Sequence, residues 1–340
     1  MKAIVHRDYG SPDVLRCEEI DKPSPGDDGI LIKVRAAAVN PLDWKTLTGG
    51  PYLIRLLLGL GKPKVRRIGV DVAGQVEEVG KNVTRFKPGD KVFGTCRGAF
   101  AEYTCASDPA SVSKLVIKPD NVTFEQAAAA PIAALTALQG LRDKGRVQPG
   151  QKVLINGAAG GVGTFAVQIA KSFGADVTGV SSTRNVDMVR SIGADRVIDY
   201  TQEDFTTSGE RYDVLLDCVG NHSFSALRRV LNPKGVCVMV GAPHDVGLLR
   251  ILAGLIGTLA LAPFVSQKVA VFLAKSNTAD LTVLGELMAS GKVKPVMDTR
   301  HGLSAVPEAL QYLKGGHARG KVVISLEDSG RSDRAMGELA

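Results

Sequence analysis

Apolar and polar positions along the chain follow two different periods, and the change between them divides it. Up to residue 122 the apolar residues come in short runs, at 3–5, 30–38, 74–79, 91–94 and 101–104, with turn signals such as Pro25-Gly26 and Pro88-Gly89-Asp90 between them. Runs of this length bounded by Gly, Pro and Asp predict strands, so this part is expected to be a compact, mostly β domain. Residues 123–140 are alanine-rich and read as helix, with Thr123 as N-cap, Glu125 and Gln126 in the first turn and Pro131 as an interruption.

One stretch organises the rest of the chain. Residues 152–174 open with Val153-Leu154-Ile155, pass through glycines at 157, 160, 161 and 163, and continue with apolar side chains at Val162, Phe165, Ala166, Ile169, Ala170 and Phe173 before Gly174. An apolar run, a glycine turn and a one-faced helical period predict strand, tight turn and helix. The turn has the spacing of a dinucleotide fingerprint, with Ala158 in place of the first glycine, Gly160 as the second and Gly163 as the third. A missing Cβ at 160 lets the backbone approach a pyrophosphate, Gly163 lets helix pack on strand, and the helix start at Gly161 and Val162 offers unpaired N–H groups to an anion. The bland alternative is a close-packed turn with no ligand.

The alternation then continues. Strands are expected at 177–181, 196–199, 213–217 and 235–241 and helices at 186–192, 223–231 and 280–290, a pattern that gives a parallel sheet covered on both faces. Residues 295–326 return to strand, helix at 307–313 and strand at 321–326, and are expected to fold back on the first domain. The expected division is therefore 1–122 and 277–326 for one domain, 123–276 for an α/β nucleotide-binding domain, and 327–340 for a loose polar tail.

Composition narrows the partners. The 340 residues are 44% hydrophobic, enough for two cores, and carry a formal charge of +7 that suits an anionic ligand. No basic run interleaved with aromatics occurs, which argues against nucleic acid. Cysteines at 17, 96, 105, 218 and 237 form no Cys-x-x-Cys pair and are odd in number, the usage of a reducing compartment. With no signal-peptide core at the start, a cytoplasmic protein is expected. The run from Leu248 to Val265 has one charge, Arg250, and contains Pro263. It is short for a membrane span, and lining of a hydrophobic pocket with core packing is preferred over peripheral membrane contact.

The end of the second expected strand reads Ser181-Ser182-Thr183-Arg184, and the first acid after it is Asp187. A site selective for the unphosphorylated dinucleotide places an acid here for the ribose 2′-OH, whereas hydroxyls and a guanidinium suit a 2′-phosphate, hence NADPH. The alternative, that Arg184 caps or solvates the next helix, is ranked below the phosphate role. Gly220 and Gly241, at strand ends, admit either close approach of the cofactor or tight turns.

Taken in order, Asn40-Pro41-Leu42-Asp43-Trp44, Gly69-Val70-Asp71-Val72-Ala73-Gly74, Gly98-Ala99-Phe100-Ala101-Glu102-Tyr103, Leu135-Thr136-Ala137, the 158–163 turn, Asp217-Cys218-Val219-Gly220 and Gly320-Lys321-Val322-Val323 resemble the medium-chain dehydrogenase/reductase superfamily, in its zinc-free quinone oxidoreductase branch. The resemblance covers about residues 1–326. It implies a GroES-like catalytic domain built from both ends of the chain, a Rossmann domain between, and a homodimer joined along the last Rossmann strand, residues 268–273. It also implies that Thr136 meets the nicotinamide end, that Tyr200 lies near the 2′-phosphate, and that Asn40 and Asp43 line the active cleft. Asn40 could then donate an amide hydrogen bond to the acceptor carbonyl, although Asn-Pro is also an ordinary turn opener. Lys45 is considered as proton donor, and Tyr52 as a further residue of the substrate cleft or a surface tyrosine.

Zinc members of this superfamily carry Cys where this chain has Asn40 and Gly-His-Glu where it has Gly69-Val70-Asp71. The expectation is no metal, and an acceptor that is already electrophilic, a quinone or an enone. Two rivals stand beside quinone reduction. One is an alkenal or enone double-bond reductase, the other a non-catalytic NADPH-binding protein that regulates a partner.

Overall fold

The structure, a computed structural model, describes residues 1–50, 61–64, 66–241 and 266–326. Tyr52, the run from 248 to 265 and the tail from 327 lie outside the described residues. The chain forms two units, one of Met1–Ile132, Ser276–Ala289 and the chain from Met297 onward, the other of Ala133–Lys275 and Ser290–Val296.

The first unit is a β structure. Strands β1 (Lys2–Val5) and β2 (Arg16–Glu19) pair antiparallel, and a larger sheet is built from β3 (Ile30–Ala38), β4 (Asp71–Val79), β5 (Lys91–Thr95), β6 (Tyr103–Ala106), β7 (Leu115–Ile117), β14 (Met297–His301) and β15 (Lys321–Ser325). Its order is β14-β15-β3-β4-β5-β7, with β6 also on β3. The return segment enters through β15, which pairs antiparallel with β3 in the register Val323↔Ala38, Ile324↔Ala37, Ser325↔Ala36. Ile30, Ile32, Val34, Val72, Phe100, Val322 and Ile324 fill the core beneath it. Helix α1 (Pro41–Thr48) follows β3 directly.

The alanine-rich segment is two helices, α2 (Phe124–Ala129) and α3 (Pro131–Gln139). Thr123 caps α2 in a capping box with Gln126, whose side chain accepts from the Thr123 N–H at 3.0 Å. Pro131 begins α3, where a missing N–H costs nothing. Because α2 packs on β3, β4 and β15, the chain leaves this unit at Ile132, not at 122.

The second unit is a doubly wound sheet. Strands β8 (Lys152–Asn156), β9 (Asp176–Ser181), β10 (Arg196–Asp199), β11 (Tyr212–Asp217), β12 (Leu231–Met239) and β13 (Lys268–Val271) are all parallel, in the order β10-β9-β8-β11-β12-β13. The winding reverses between β8 and β11, where such sheets open a crevice at their carboxyl ends. Helix α4 (Gly161–Ser172) is amphipathic as expected, and Gly174 beyond it takes φ 79°.

Two expectations shift. The strand placed at 101–104 is Tyr103–Ala106, and the helix placed at 223–231 is only Phe224–Leu227 followed by a 3-10 turn. β12 starts at Leu231 and loops out before Val236, because Pro233 has no N–H to give the ladder and Lys234 sits at φ 66°.

Candidate functional site

The glycine turn separates two kinds of glycine. After β8, Gly157 takes φ 81°, and the Ala158 N–H donates to the Val180 carbonyl at 3.0 Å, tying the turn to β9. A Cβ on Gly163 would lie 2.0 Å from the Gly157 carbonyl oxygen and 2.8 Å from the Ala158 Cα, so the protein's own packing demands glycine there. Gly160 differs. It has an ordinary φ of −81°, and a Cβ on it would meet only the Gly157 oxygen, at 3.4 Å. Among the described residues nothing but that oxygen comes within 4 Å of a Cβ at Gly160, next to the helix start where Gly161, Val162 and Gly163 have N–H groups with no intrahelical acceptor. Ala158 is wholly buried and its amide is committed to Val180, so its part in the described structure is to shape the turn.

At the end of β9, the Tyr200 N–H donates to the Ser181 carbonyl at 3.0 Å, while the Tyr200 side chain is 59% exposed. Ser182 is half-buried and accepts from Asn185 Nδ2 at 3.1 Å, and Arg184 is exposed beside it. The structure thus gathers Ser182, Arg184 and Tyr200 on one edge of the sheet. The Ser181 side chain is buried. Asp187 pairs with Arg190 at 3.7 Å. The sequence reading missed Asp199, which lies level with Ser181 on the neighbouring strand. Its carboxylate accepts from the Thr183 hydroxyl at 2.6 Å and the Thr201 N–H at 3.0 Å, and these bonds, Thr183 first, hold it below the usual carboxylate range.

Gly220 and Gly241 are explained by the protein itself. Gly220 has φ 75° and donates to Asp217 Oδ1 at 2.9 Å, and a Cβ on Gly241 would lie 2.2 Å from the Cys218 carbonyl carbon. Both serve tight packing about Asp217, which also accepts from Asn156 Nδ2 at 2.9 Å across the β8–β11 reversal. Thr136 is half-buried on α3.

In the first unit, Asn40 and Asp43 belong to a buried cluster that the sequence did not reveal as one. Asn40 is the N-cap of α1, and its backbone N–H donates to Asp43 Oδ2 at 2.8 Å. Asn40 Nδ2 donates to the Ala38 carbonyl at 3.2 Å and to Asp71 Oδ2 at 2.9 Å, while its Oδ1 accepts from Lys321 Nζ at 2.6 Å. Lys321 Nζ also lies 3.4 Å from Asp71 Oδ2, and Asp71 Oδ1 accepts from the Ile132 N–H at 3.1 Å. All four side chains are nearly inaccessible, Lys321 at 3% and Asp71 at 0%. An ammonium only donates, so the amide oxygen must face Lys321 and both amide hydrogens are taken. The expectation that Asn40 donates to a substrate carbonyl is therefore corrected. Lys45 is exposed on α1, two positions from Asp43, and stands outside the cluster.

Burial, first of all, pushes the Asp43 carboxyl up to about 7, and the Asp71 charge adds to this; the Asn40 N–H, Lys321 and the Gly69 N–H, which faces the carboxylate without closing a hydrogen bond, oppose it. Asp43 Oδ1 has no hydrogen-bond partner among the described residues. Asp71 is also pushed up by burial, with Lys321 the strongest opposing influence.

Comparison with known proteins gives a consistent picture. Residues 26–119 match the family model of the alcohol dehydrogenase GroES-like domain and residues 192–324 that of zinc-binding dehydrogenase. The chain is 37% identical over 340 residues to the 2-methylene-furan-3-one reductase of Solanum lycopersicum, and 35% identical over 339 residues to the chloroplastic NADPH-dependent alkenal/one oxidoreductase of Arabidopsis thaliana; each alignment covers 95% of this chain and 79% of the relative. It is similar to the structure of the quinone oxidoreductase from Coxiella burnetii with a TM-score of 0.83 at 31% identity, over 96% of this chain and 99% of that one.

The buried cluster does not fit the zinc in the name of the second family model. Asn40 and Val70 stand where thiolate and imidazole would be needed, and the Lys321 ammonium already occupies the carboxylate that could turn to a cation. Among the described residues no group of three or more His, Cys, Asp or Glu is placed to hold a metal ion.

Asp43 generates a stability prediction. Its folded pKa stands above the unfolded value of 3.8, so the native state holds the proton more tightly, and this stabilisation is present at low pH and lost as pH rises through about 7. Asp43→Asn should flatten the fall in unfolding free energy between pH 4 and 7, and be the more stable form above neutrality, by a few kcal/mol. Urea unfolding of both proteins across that range measures it; parallel curves would contradict the assignment.

Proposed function

The chain belongs to the medium-chain dehydrogenase/reductase superfamily, among its quinone-oxidoreductase-like members, and from that premise we propose that it is an NADPH-dependent oxidoreductase that reduces quinones or other electrophilic conjugated carbonyls without zinc. The observation that carries the cofactor reading is the open space over Gly160, a glycine the protein's own packing does not require. The N–H groups of Gly161, Val162 and Gly163 would hold the pyrophosphate there, with the partial positive charge of the helix start behind them. Ser182, Arg184 and Tyr200 would take the 2′-phosphate on the edge they share.

The nicotinamide, once bound, supplies the reducing equivalent. The acceptor must then be one whose developing oxygen charge is already spread by conjugation, because the buried cluster offers no Lewis acid to polarise an alcohol or simple ketone. Reduction of an enone double bond is the second reading, favoured by the two reductases of conjugated carbonyls among the relatives.

The protein should consume NADPH on addition of a quinone or an enone, followed by absorbance, with an undiminished rate after chelator treatment; product analysis separates quinol from reduced double bond. NADPH binding without turnover by any acceptor would favour the regulatory binder, and zinc-dependent turnover would remove the metal-free reading.

In a binding series, Gly160→Ala should fold with stability within about 1 kcal/mol of the parent yet bind NADPH weakly, whereas Gly163→Ala should be destabilised outright. Arg184→Ala should cut the preference for NADPH over NADH by roughly ten- to hundredfold, the worth of a charge-assisted hydrogen bond. Equal binding by the Gly160 and parent proteins would count against a dinucleotide on this turn.

No described helix is long and apolar enough to cross a membrane. The same reading takes the cytoplasm as compartment and a second copy of the chain as partner along β13, the outer strand of its sheet among the described residues, where Val271 is 59% and Leu273 90% exposed. A sedimentation mass of twice 35.8 kDa is expected. A monomer at micromolar concentration would contradict it.

A further inference from the structure

The carboxylate of Asp199 shares the sheet edge assigned above to the 2′-phosphate. Asp199 ends β10, level with Ser181 at the end of β9 and one residue before Tyr200. In a doubly wound sheet the adenine ribose is read where the strand that follows the glycine turn ends. Here the turn is tied to that strand, β9, by the Ala158 N–H on the Val180 carbonyl. The end of β9 carries no acid of its own, but the neighbouring strand brings one to the same level.

Two threonines surround this carboxylate. Thr183 donates through its hydroxyl to Asp199 Oδ2 at 2.6 Å, and Thr201 donates to Oδ1 through its hydroxyl at 2.8 Å and its N–H at 3.0 Å. The two hydroxyl oxygens stand 2.9 Å apart. Held below the usual carboxylate range by these bonds, Thr183 first, Asp199 is ionised at neutral pH and can only accept, while each hydroxyl has one hydrogen to give. Whether Thr183 gives its hydrogen to Asp199 or to Thr201, that hydrogen stays inside the cluster. Thr183 is exposed, so its oxygen offers a ligand lone pairs alone. A 2′-phosphate is itself an acceptor with close to two negative charges, and gains nothing from such an oxygen beside a carboxylate. A free 2′-hydroxyl has a hydrogen to give. The Thr183 hydroxyl, which the sequence alone counts in favour of a phosphate, therefore counts against it.

We propose that Asp199 is a specificity-determining residue, whose carboxylate, with the Thr183 oxygen it orients, lets this edge take the free 2′-hydroxyl of NADH as well as the 2′-phosphate of NADPH. Ser182, Arg184 and Tyr200 serve the phosphate, and Asp199 with Thr183 serves the hydroxyl. This rests on the reading of the 158–163 turn as the cofactor site. It differs from a purely local role, in which Asp199 only closes the turn to Thr201 and its loss affects both dinucleotides alike.

Titration calorimetry of the whole chain with NADPH and with NADH, beside thermal midpoints, tests it. The parent is expected to bind both. Asp199→Asn keeps the size of the side chain and an oxygen for the Thr201 N–H, and should raise the ratio of NADPH to NADH affinity about tenfold or more, by tighter binding of the first and weaker binding of the second. Thr183→Val, at an exposed position, should weaken NADH binding about threefold or more and leave NADPH binding within about twofold. A ratio unmoved in both variants, or two affinities that shift together, overturns the inference and leaves the cofactor reading standing. So does a parent that binds NADPH and no NADH. If Asp199→Asn does not fold, Thr183→Val decides: a raised ratio supports the inference and an unchanged one overturns it. A parent that binds neither dinucleotide removes the cofactor reading and the inference with it.

Discussion

A charge kept out of water constrains everything bonded to it. Two carboxylates and one ammonium lie together in the first unit, and taking such groups from solvent costs several kcal/mol each unless partners are in place. The partners come from distant parts of the chain: the end of β3, α1, β4, and β15 at the far end of the sequence. Replacing buried ion pairs by apolar residues of the same volume is in general often neutral or stabilising, so net stability is not what such an arrangement supplies. It contributes specificity. A one-residue slip of β15 against β3 would turn Lys321 to the other face of the sheet and strand Asp71 without its cation. The return segment is therefore admitted in one register, and the first unit is completed by residues from both ends of the chain.

The second unit uses backbone where the first uses charge. Its sheet reverses direction between β8 and β11, and the polar pair Asn156–Asp217 spans that point, with the Val219 and Gly220 N–H groups bonded to the same carboxylate oxygen as Asn156. The adjoining turn is shaped from within by Gly157, Ala158 and Gly163. At Gly160, by contrast, an added Cβ would meet only the Gly157 oxygen among the described residues, at 3.4 Å. Gly157, Ala158 and Gly163 thus satisfy the fold, while the packing of the described residues does not require a glycine at 160.

Much of this was legible in the sequence because it is local. The capping box at Thr123 and Gln126, the restart of helix at Pro131, the glycine turn and the alternation of strand and helix each depend on residues within a few positions of one another. Asn40 shows where local reading stops. Its position before Pro41 marked a turn, and the family resemblance marked a cleft residue, but the fate of its amide depended on Lys321, 281 positions away at the start of the closing strand. The packing at Gly241 was hidden for the same reason, since the atom that excludes a Cβ belongs to Cys218 on another connection. Asp199 was passed over because a search along the chain from the glycines met Asp187 first, whereas the sheet sets Asp199 beside Ser181.

On the proposed reading, these two devices constrain the chemistry together. An enzyme that lacks a metal to gather charge on a substrate oxygen is limited to acceptors that carry the charge themselves, and quinones and enones do so by conjugation. What such an enzyme gains from its protein is placement, because holding reactants in an aligned geometry lowers a barrier without any group of high charge at the reacting atoms. Placement needs rigid supports. A buried amide saturated with hydrogen bonds and a helix start fixed by its own capping residues are rigid in this sense, since any displacement would break bonds that water is not present to replace. On that reading, Asn40 and Val70 in place of a thiolate and an imidazole go with a change in the means of catalysis, from polarising the substrate to positioning it.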